Sequence, residues 1–427
     1  MTVAALRRFA GDRKGNVAII FAFSLMPIAL LTGMGIDYTS AASKKAMLDA
    51  AADAAALAAV TPTLMALPSA SSITAAQNMF NSQVTNIPGL SASPTPTVNA
   101  VDNGLKRTVT VSYTAASRNS FAGVLGQEAW ALNGSSQATA SVAPNIDFYL
   151  LLDNSPSMAI AATSAGIATM VANTSAQGGC AFACHQTNVA ADNLGNAGGV
   201  DNYTLAKNLG VVTRIQNLNA ATQALMDTAT TTMANYHSTY RMAIYTFNTG
   251  GTNTITALTS SLSSAKSQAA GIDVLTVYKN NWLTSSNNNS DEDTDFEAAM
   301  TNINTIMPAP GTGMAGSTPQ EVLFLVSDGV DDSKVGGARH QALFDTTKCT
   351  TVKNRGIRIA VLYTTYLPLP TNSWYNTYIS SFQPQIAGNM KNCASPGLFF
   401  QVSTDQDITA AMNSLFQQAV STARLTQ

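Results

Sequence analysis

Charge is scarce in this sequence. Of 427 residues only 11% are Asp, Glu, Lys or Arg, and they nearly cancel, leaving a formal net charge of -2. That excludes a broadly basic surface, and with it the electrostatic case for nucleic acid as a partner. Histidine is rarer still: His185, His237 and His340 stand far apart, which excludes a His-rich zinc site. There is no GxxxxGK[ST] loop and no GxSxG elbow, so nucleotide hydrolysis and serine-hydrolase chemistry have no starting point. What remains is a chain with 46% hydrophobic residues, ample for a core, whose polarity comes mostly from Ser, Thr, Asn and Gln. That balance is common outside the cytoplasm. The length calls for two or three units.

The first 16 residues carry Arg7, Arg8, Arg13 and Lys14 against one acid, Asp12. Val17 to Ile36 follows as VAIIFAFSLMPIALLTGMGI, without a charge. At helical rise this crosses a hydrocarbon core of about 30 Å, and lipid tolerates Pro27, Gly33 and Gly35. Positive charge ahead of the span predicts a cytoplasmic tail (1–16), one transmembrane helix (17–36) and translocation of the rest. A cleaved signal peptide is the alternative. It normally has a shorter apolar core closed by a small-x-small site, and no such site is evident here. Residues 37–60, DYTSAASKKAMLDAAADAAALAAV, hold neither Gly nor Pro and predict an Ala-rich helix, either a plain stalk or a packing surface for another helix.

The block RRFAGDRKGNVAIIFAFSLMPIALLTGMGIDYTSAASKKAMLDAAADAAALAA resembles the membrane segment of TadG-like proteins of the Flp/Tad pilus system. The shared pattern is a basic stretch, GNVAIIFA, an apolar span, GIDY and an Ala-rich helix ending in DAAALAA. The resemblance implies a single-pass protein of the inner (cytoplasmic) membrane with a periplasmic main domain, acting in pilus assembly or anchoring. Related pilin-like proteins carry a glutamate five residues after the processed glycine. Here that position after Gly15 is Ile20, which argues against processing.

Residues 61–143 predict a small α+β module. SPTPTV around Pro94 and Pro96 reads as a turn or linker, and RTVTVSYTA (Arg107 to Ala115) and ALNGSSQATASV read as strands. Spacing or contact with pilus proteins is the expected role.

From residue 144 onward, apolar strands alternate with amphipathic helices. NIDFYLLLD, YRMAIYTFNT, EVLFLVSDG and IRIAVLYTTY are the strands. DTDFEAAMTNINTIM, HQALFDTTKCTTVKNRG and DITAAMNSLFQQAVSTARL are among the helices, and a Cys-containing insertion covers about 173–202. This predicts an α/β domain over 144–427, with a mostly parallel sheet covered on both faces. Ligands in such sheets lie beyond the carboxyl ends of the strands. Three features fall there: Asp153, Ser155 and Ser157 as D-x-S-x-S, Thr294 just before a helix, and Asp328 in VSDG. Oxygen-only donors of this kind suit Mg²⁺ or Mn²⁺. Taken singly, DxSxS is also a helix N-cap, VSDG also a strand exit, and Thr284, Thr312 and Thr318 compete with Thr294. Asp291 and Glu292 read as a solvated loop, and Phe296 standing where Gly is required excludes an EF-hand.

Together these features resemble the metal-ion-dependent adhesion site of von Willebrand factor A domains. Asp153, Ser155 and Ser157 match its first loop, Thr294 the second and Asp328 the third. The resemblance implies a Rossmann-like von Willebrand factor A fold that binds a protein partner, whose carboxylate completes the metal's coordination.

The four cysteines, Cys180, Cys184, Cys349 and Cys393, form an even set suited to disulfides in an oxidising compartment. CAFACH (Cys180 to His185) has one residue too many for common haem attachment, so disulfides are preferred. Three connectivities exist. Cys180–Cys184 with Cys349–Cys393 is expected because each bond would staple nearby sequence. No catalytic nucleophile or base is placed, so no enzyme activity is expected. A surface-exposed or released adhesin using the same metal site is the competing reading.

Overall fold

The computed structural model describes residues 15–180, 200–275, 294–368, 370, 373–403 and 405–425. It divides into two compact units, Met1–Ser141 and Val142–Gln427.

In the first unit a single helix, Gly15–Ala58, includes both the apolar stretch and the Ala-rich one, with Pro27 inside it. Its first half shows exposed apolar side chains, among them Phe21, Phe23, Met26 and Leu31. By length and composition the helix can cross a membrane. The Ala-rich half is not a free stalk. Leu48, Ala51, Ala52, Ala55 and Ala56 recur at helical spacing and are buried against the helix Ser69–Val84 and a three-stranded antiparallel sheet. Small side chains let the helix lie close to the sheet. Gly134 adds to this, because a Cβ there would meet Asp49 and Tyr113 at about 2.5 Å.

The sheet is β1 (Pro96–Asn103), β2 (Lys106–Arg118) and β3 (Ala129–Ser141), in that order. Pro96 therefore opens an edge strand rather than sitting in a linker, a place where its missing N–H costs no ladder bond. Arg107, fully buried, ties the pieces together. It pairs with Asp102 at 2.6 Å and donates to the carbonyls of Leu64 and Leu67 and to Ser72.

The second unit is built on a six-stranded sheet ordered β11-β10-β7-β4-β5-β6. Its strands are β4 (Ile146–Asp153), β5 (Tyr240–Asn248), β6 (Gly251–Thr259), β7 (Gln320–Ser327), β10 (Arg358–Thr364) and β11 (Phe399–Val402). All pairings are parallel except β5 with β6. Alternate residues of β4 feed two cores. Phe148, Leu150 and Leu152 pack with the helices Arg214–Tyr236 and Ile408–Leu425, while Tyr149 and Leu151 pack with Phe296–Ile306, Thr347–Asn354 and Ile386–Cys393. The expected α/β architecture, a mostly parallel sheet covered by helices on both faces, is thus present.

Two details depart from expectation. The helix expected to begin at His340 starts at Thr347, because Val330–Val335 (β8) and Ala338–Leu343 (β9) form a hairpin across Gly336 and Gly337. Both glycines have positive φ, 62° and 86°, as a tight two-residue turn requires. The long helical stretch expected from Thr204 is two helices, Asn202–Asn208 and Arg214–Tyr236, parted at Gly210 with φ 69°.

Cys349 and Cys393 are joined by a disulfide across a sequence separation of 44. Closing a loop of that size stabilises a fold by about 4 kcal/mol on the chain-entropy account. Replacing both cysteines by Ala is therefore expected to lower unfolding stability by roughly 2–4 kcal/mol, read by denaturant titration; an unchanged midpoint would contradict this.

At the amino end of the sheet, Asp147 and Glu321 are buried on neighbouring strands as direct partners in the β4–β7 register. Burial, then the charge of Asp147, push Glu321 up to about 8, with Arg241 opposing. Arg241 donates to both oxygens of Asp147. An unfolded glutamate ionises near 4.5, so Glu321 favours the fold most below that pH, and the contribution is lost as pH rises through about 8. Stability measured across this window should fall with pH, and Glu321→Gln should flatten the slope. An unaltered slope in the variant would refute the assignment.

Candidate functional site

β4 and β7 are neighbours whose onward connections run to opposite sides of the sheet, β4 to β5 and β7 to β10. This is the switch point of a doubly wound sheet, where a crevice opens beyond the carboxyl ends. Asp153 is the last residue of β4, and Asp328 follows Ser327 at the end of β7. Gly329, with φ 81°, lets the chain turn away at once, and a Cβ there would strike Ile386 at 2.6 Å.

Asp153 is fully buried. Its Oδ1 accepts from the Ser155 backbone N–H at 2.9 Å and from Ser155 Oγ at 2.6 Å, while its Oδ2 accepts from Ser327 Oγ at 2.7 Å. Ser155 and Ser157 bring their hydroxyls to 2.9 Å of each other. The D-x-S-x-S spacing does this because Ser155 is extended and Pro156 opens a short 3₁₀ turn, Pro156–Ala159. Asp328 is also buried, and its Oδ2 has no hydrogen-bond partner among the described residues. Burial, followed by the charge of Asp153, pushes Asp328 up to about 7, opposed by the Ser157 hydroxyl and the Arg214 guanidinium. Burial likewise raises Asp153.

Four of the five residues expected from sequence therefore converge: Asp153, Ser155, Ser157 and Asp328. Thr294 is buried in the adjoining loop, and its backbone exchanges two hydrogen bonds with Asp332 at 3.0 and 2.9 Å. Among the described residues its hydroxyl bonds to none of the other four. The loop is still tied to the site. Asp295 N–H donates to the Asn248 carbonyl, and Asn248 Nδ2 donates to Asn154 Oδ1 at 2.9 Å, beside Asp153. Asp331 and Asp332 have structural employment. Asp331 accepts from the Phe296 N–H and from Ser333, and Asp332 pairs with Arg339.

Sequence reasoning missed Ser327, Asn154, Asn248 and Arg214. Ser327 had a signal, standing beside Asp328 in VSDG. Arg214 had none: it starts a helix 57 positions after Ser157 and becomes relevant only because its backbone N–H reaches the Ile160 carbonyl at 2.9 Å. It is buried, and its Nη2 has no hydrogen-bond partner among the described residues.

The donors fit a hard divalent cation. They are oxygen-only, two carboxylates are buried close together, and an Asp328 Oδ2 without a partner among the described residues is rare for a buried polar atom. Away from this crevice, Cys180 is disulfide-bonded, which leaves its thiol unavailable to haem. Cys184 and His185 lie outside the described residues.

Residues 15–68 match the Tad family model, described as Flp pilus-assembly TadE/G-like. The match is confined to this N-terminal segment of the 427-residue chain. No curated protein matches the chain in sequence. Among solved structures it is similar to proximal thread matrix protein 1 of the mussel byssus, solved with a zinc-occupied MIDAS motif (TM-score 0.33, 10% identity, 65% of this chain and 48% of that one). It is also similar to the pilus adhesin SpaC of Lactobacillus rhamnosus GG (TM-score 0.34, 9% identity, 77% and 34%). A third likeness is to the SpRpn10 VWA domain (TM-score 0.30, 9% identity, 64% and 95%). The chain thus spans 48% of the mussel protein and 34% of the adhesin. At these TM-scores the likenesses carry nothing about function.

Removing one of two buried like charges should help the fold when no cation is supplied. Asp328→Asn is expected to raise stability in EDTA at pH 8 by about 1 kcal/mol, measured by denaturant titration. Clear destabilisation would mean that the carboxylates do not oppose each other.

Proposed function

We propose that this chain is a membrane-anchored component of Tad/Flp-type pilus assembly or anchoring. Residues 17–36 hold it in the inner membrane with the N-terminus cytoplasmic and the second unit periplasmic. That unit binds a protein partner through Mg²⁺ or Mn²⁺, held by Asp153, Ser155, Ser157, Thr294 and Asp328. The role is binding rather than catalysis.

The observation that carries the reading is the buried pair, Asp153 and Asp328, at the switch point of the sheet, with an Asp328 Oδ2 that no described residue partners. The TadE/G-like match over residues 15–68 supports the pilus context. Charge supports the kind of partner. Two carboxylates beside one guanidinium leave the crevice short of positive charge, and a divalent cation would turn it positive overall, which suits a carboxylate offered by a partner. Thr294 enters this set through its place in the adjoining loop, and a small movement of that loop on binding would bring its hydroxyl in.

Pili counted on cells lacking the protein, and on cells carrying Asp153→Ala, test the reading. Both strains should be bald, with the variant protein present at normal level. Normal piliation in the deletion strain would refute the assembly role. A bald deletion strain beside a piliated Asp153→Ala strain would refute the need for the cation.

A further inference from the structure

The connection between β2 and β3 is NSFAGVLGQE, residues 119–128, uncharged until Glu128 at its very end. It is pinned to the N-terminal helix where that helix leaves the apolar span. Asp37, buried one residue past the span, accepts hydrogen bonds from the backbone N–H groups of Ser120, Phe121 and Ala122 at 2.9, 2.8 and 2.7 Å. One turn earlier Gly33 seats the Phe121 ring, since a Cβ at that position would stand 2.5 Å from it. The loop also holds its own shape. Asn119 binds the carbonyls of Gln127 and Glu128 at 2.8 and 2.9 Å, and Gln127 N–H donates to the Ala122 carbonyl at 3.1 Å.

A loop this firmly held nevertheless turns apolar side chains outward. Phe121 is 43% exposed, Val124 79% and Leu125 58%. In water that display is unfavourable in proportion to the apolar area left wet; beside a bilayer it is favourable. The depth agrees. Gly33 lies three residues short of Ile36, about 4.5 Å inside the end of the span at helical rise, close to the layer in which peripheral apolar groups settle, about 5–10 Å into the boundary. Exposed Tyr38, next to Asp37, and Trp130, opposite Ser117 on the same hairpin, supply aromatic rings of the kind that favour the headgroup level.

We propose that the Asn119–Gln127 loop is a membrane-docking element. Phe121, Val124 and Leu125 enter the headgroup–acyl boundary of the leaflet through which the chain emerges, so the first unit rests on the lipid beside its own anchor. The proposal depends on residues 17–36 spanning the membrane. Asp37 acts as its clasp, positioning the loop through three amides rather than touching lipid.

The full chain, reconstituted in vesicles of phosphatidylcholine and phosphatidylglycerol, tests this with an environment-sensitive fluorophore on one introduced cysteine at a time. The sites are Val124→Cys in the loop, Phe23→Cys in the span, and Val101→Cys, exposed on β1 toward the other end of the β1–β3 sheet. Lipids brominated high on the acyl chain report burial. Quenching at Val124 and Phe23 several-fold above that at Val101 is the expected result. Quenching at Phe23 with Val124 no different from Val101 would overturn the docking loop and leave the anchor standing. No quenching at Phe23 would overturn the anchor, and the proposal with it.

Discussion

Two carboxylates, Asp153 and Asp328, stand without access to water at the ends of adjacent parallel strands, and the surrounding structure is an answer to that burial. Isolated buried charge is among the most costly features a fold can carry. Here hydroxyls from Ser155 and Ser327 satisfy Asp153 from both sides, and Arg214 brings a guanidinium toward Asp328. One carboxylate oxygen is still left over. A core that needed only stability would place apolar side chains at these strand ends, as it does through the middle of β4 and β7. The retained pair is therefore read as a binding device, and the six-stranded sheet as the frame that fixes its geometry.

That frame was partly legible in the sequence. β4, β7 and β10 are buried on both faces and read as apolar runs beyond the polar residues at their amino ends, Asp147, Gln320, Glu321 and Arg358, so their type and their parallel pairing followed from hydrophobicity. β6 was invisible because Gly251–Thr259 is an edge strand rich in Thr and Asn, whose lone neighbour asks little of its side chains. β11 is four residues long, too short for any pattern. The β8–β9 hairpin had a visible signal in Gly336-Gly337, and the helix-like composition beyond it outweighed that signal.

The site was legible to the extent that its residues follow a strand end closely in sequence, Ser157 standing four positions after Asp153. Asp153, Ser155, Ser157 and Asp328 satisfy that condition, and strand register then brings them together. Asn248 also ends a strand, β5, but no run of acid and hydroxyl residues surrounds it, and Arg214 comes from the start of a helix, so no local pattern marks either. The first unit gives a parallel lesson. Its Ala-rich helix suggested either a stalk or a contact surface, and periodicity alone did not choose. The choice comes from Val109, Val111, Tyr113 and Phe80, which supply the surface that the alanines cover.

The central claim is that the crevice between β4 and β7 holds a divalent cation. Titrating the detergent-solubilised full chain with Mn²⁺, and following free Mn²⁺ by electron paramagnetic resonance, tests it directly. The account predicts a single bound ion that Mg²⁺ displaces and that disappears in both Asp153→Ala and Asp328→Ala. Absence of binding in the unaltered chain, or equal binding in the two variants, would contradict it.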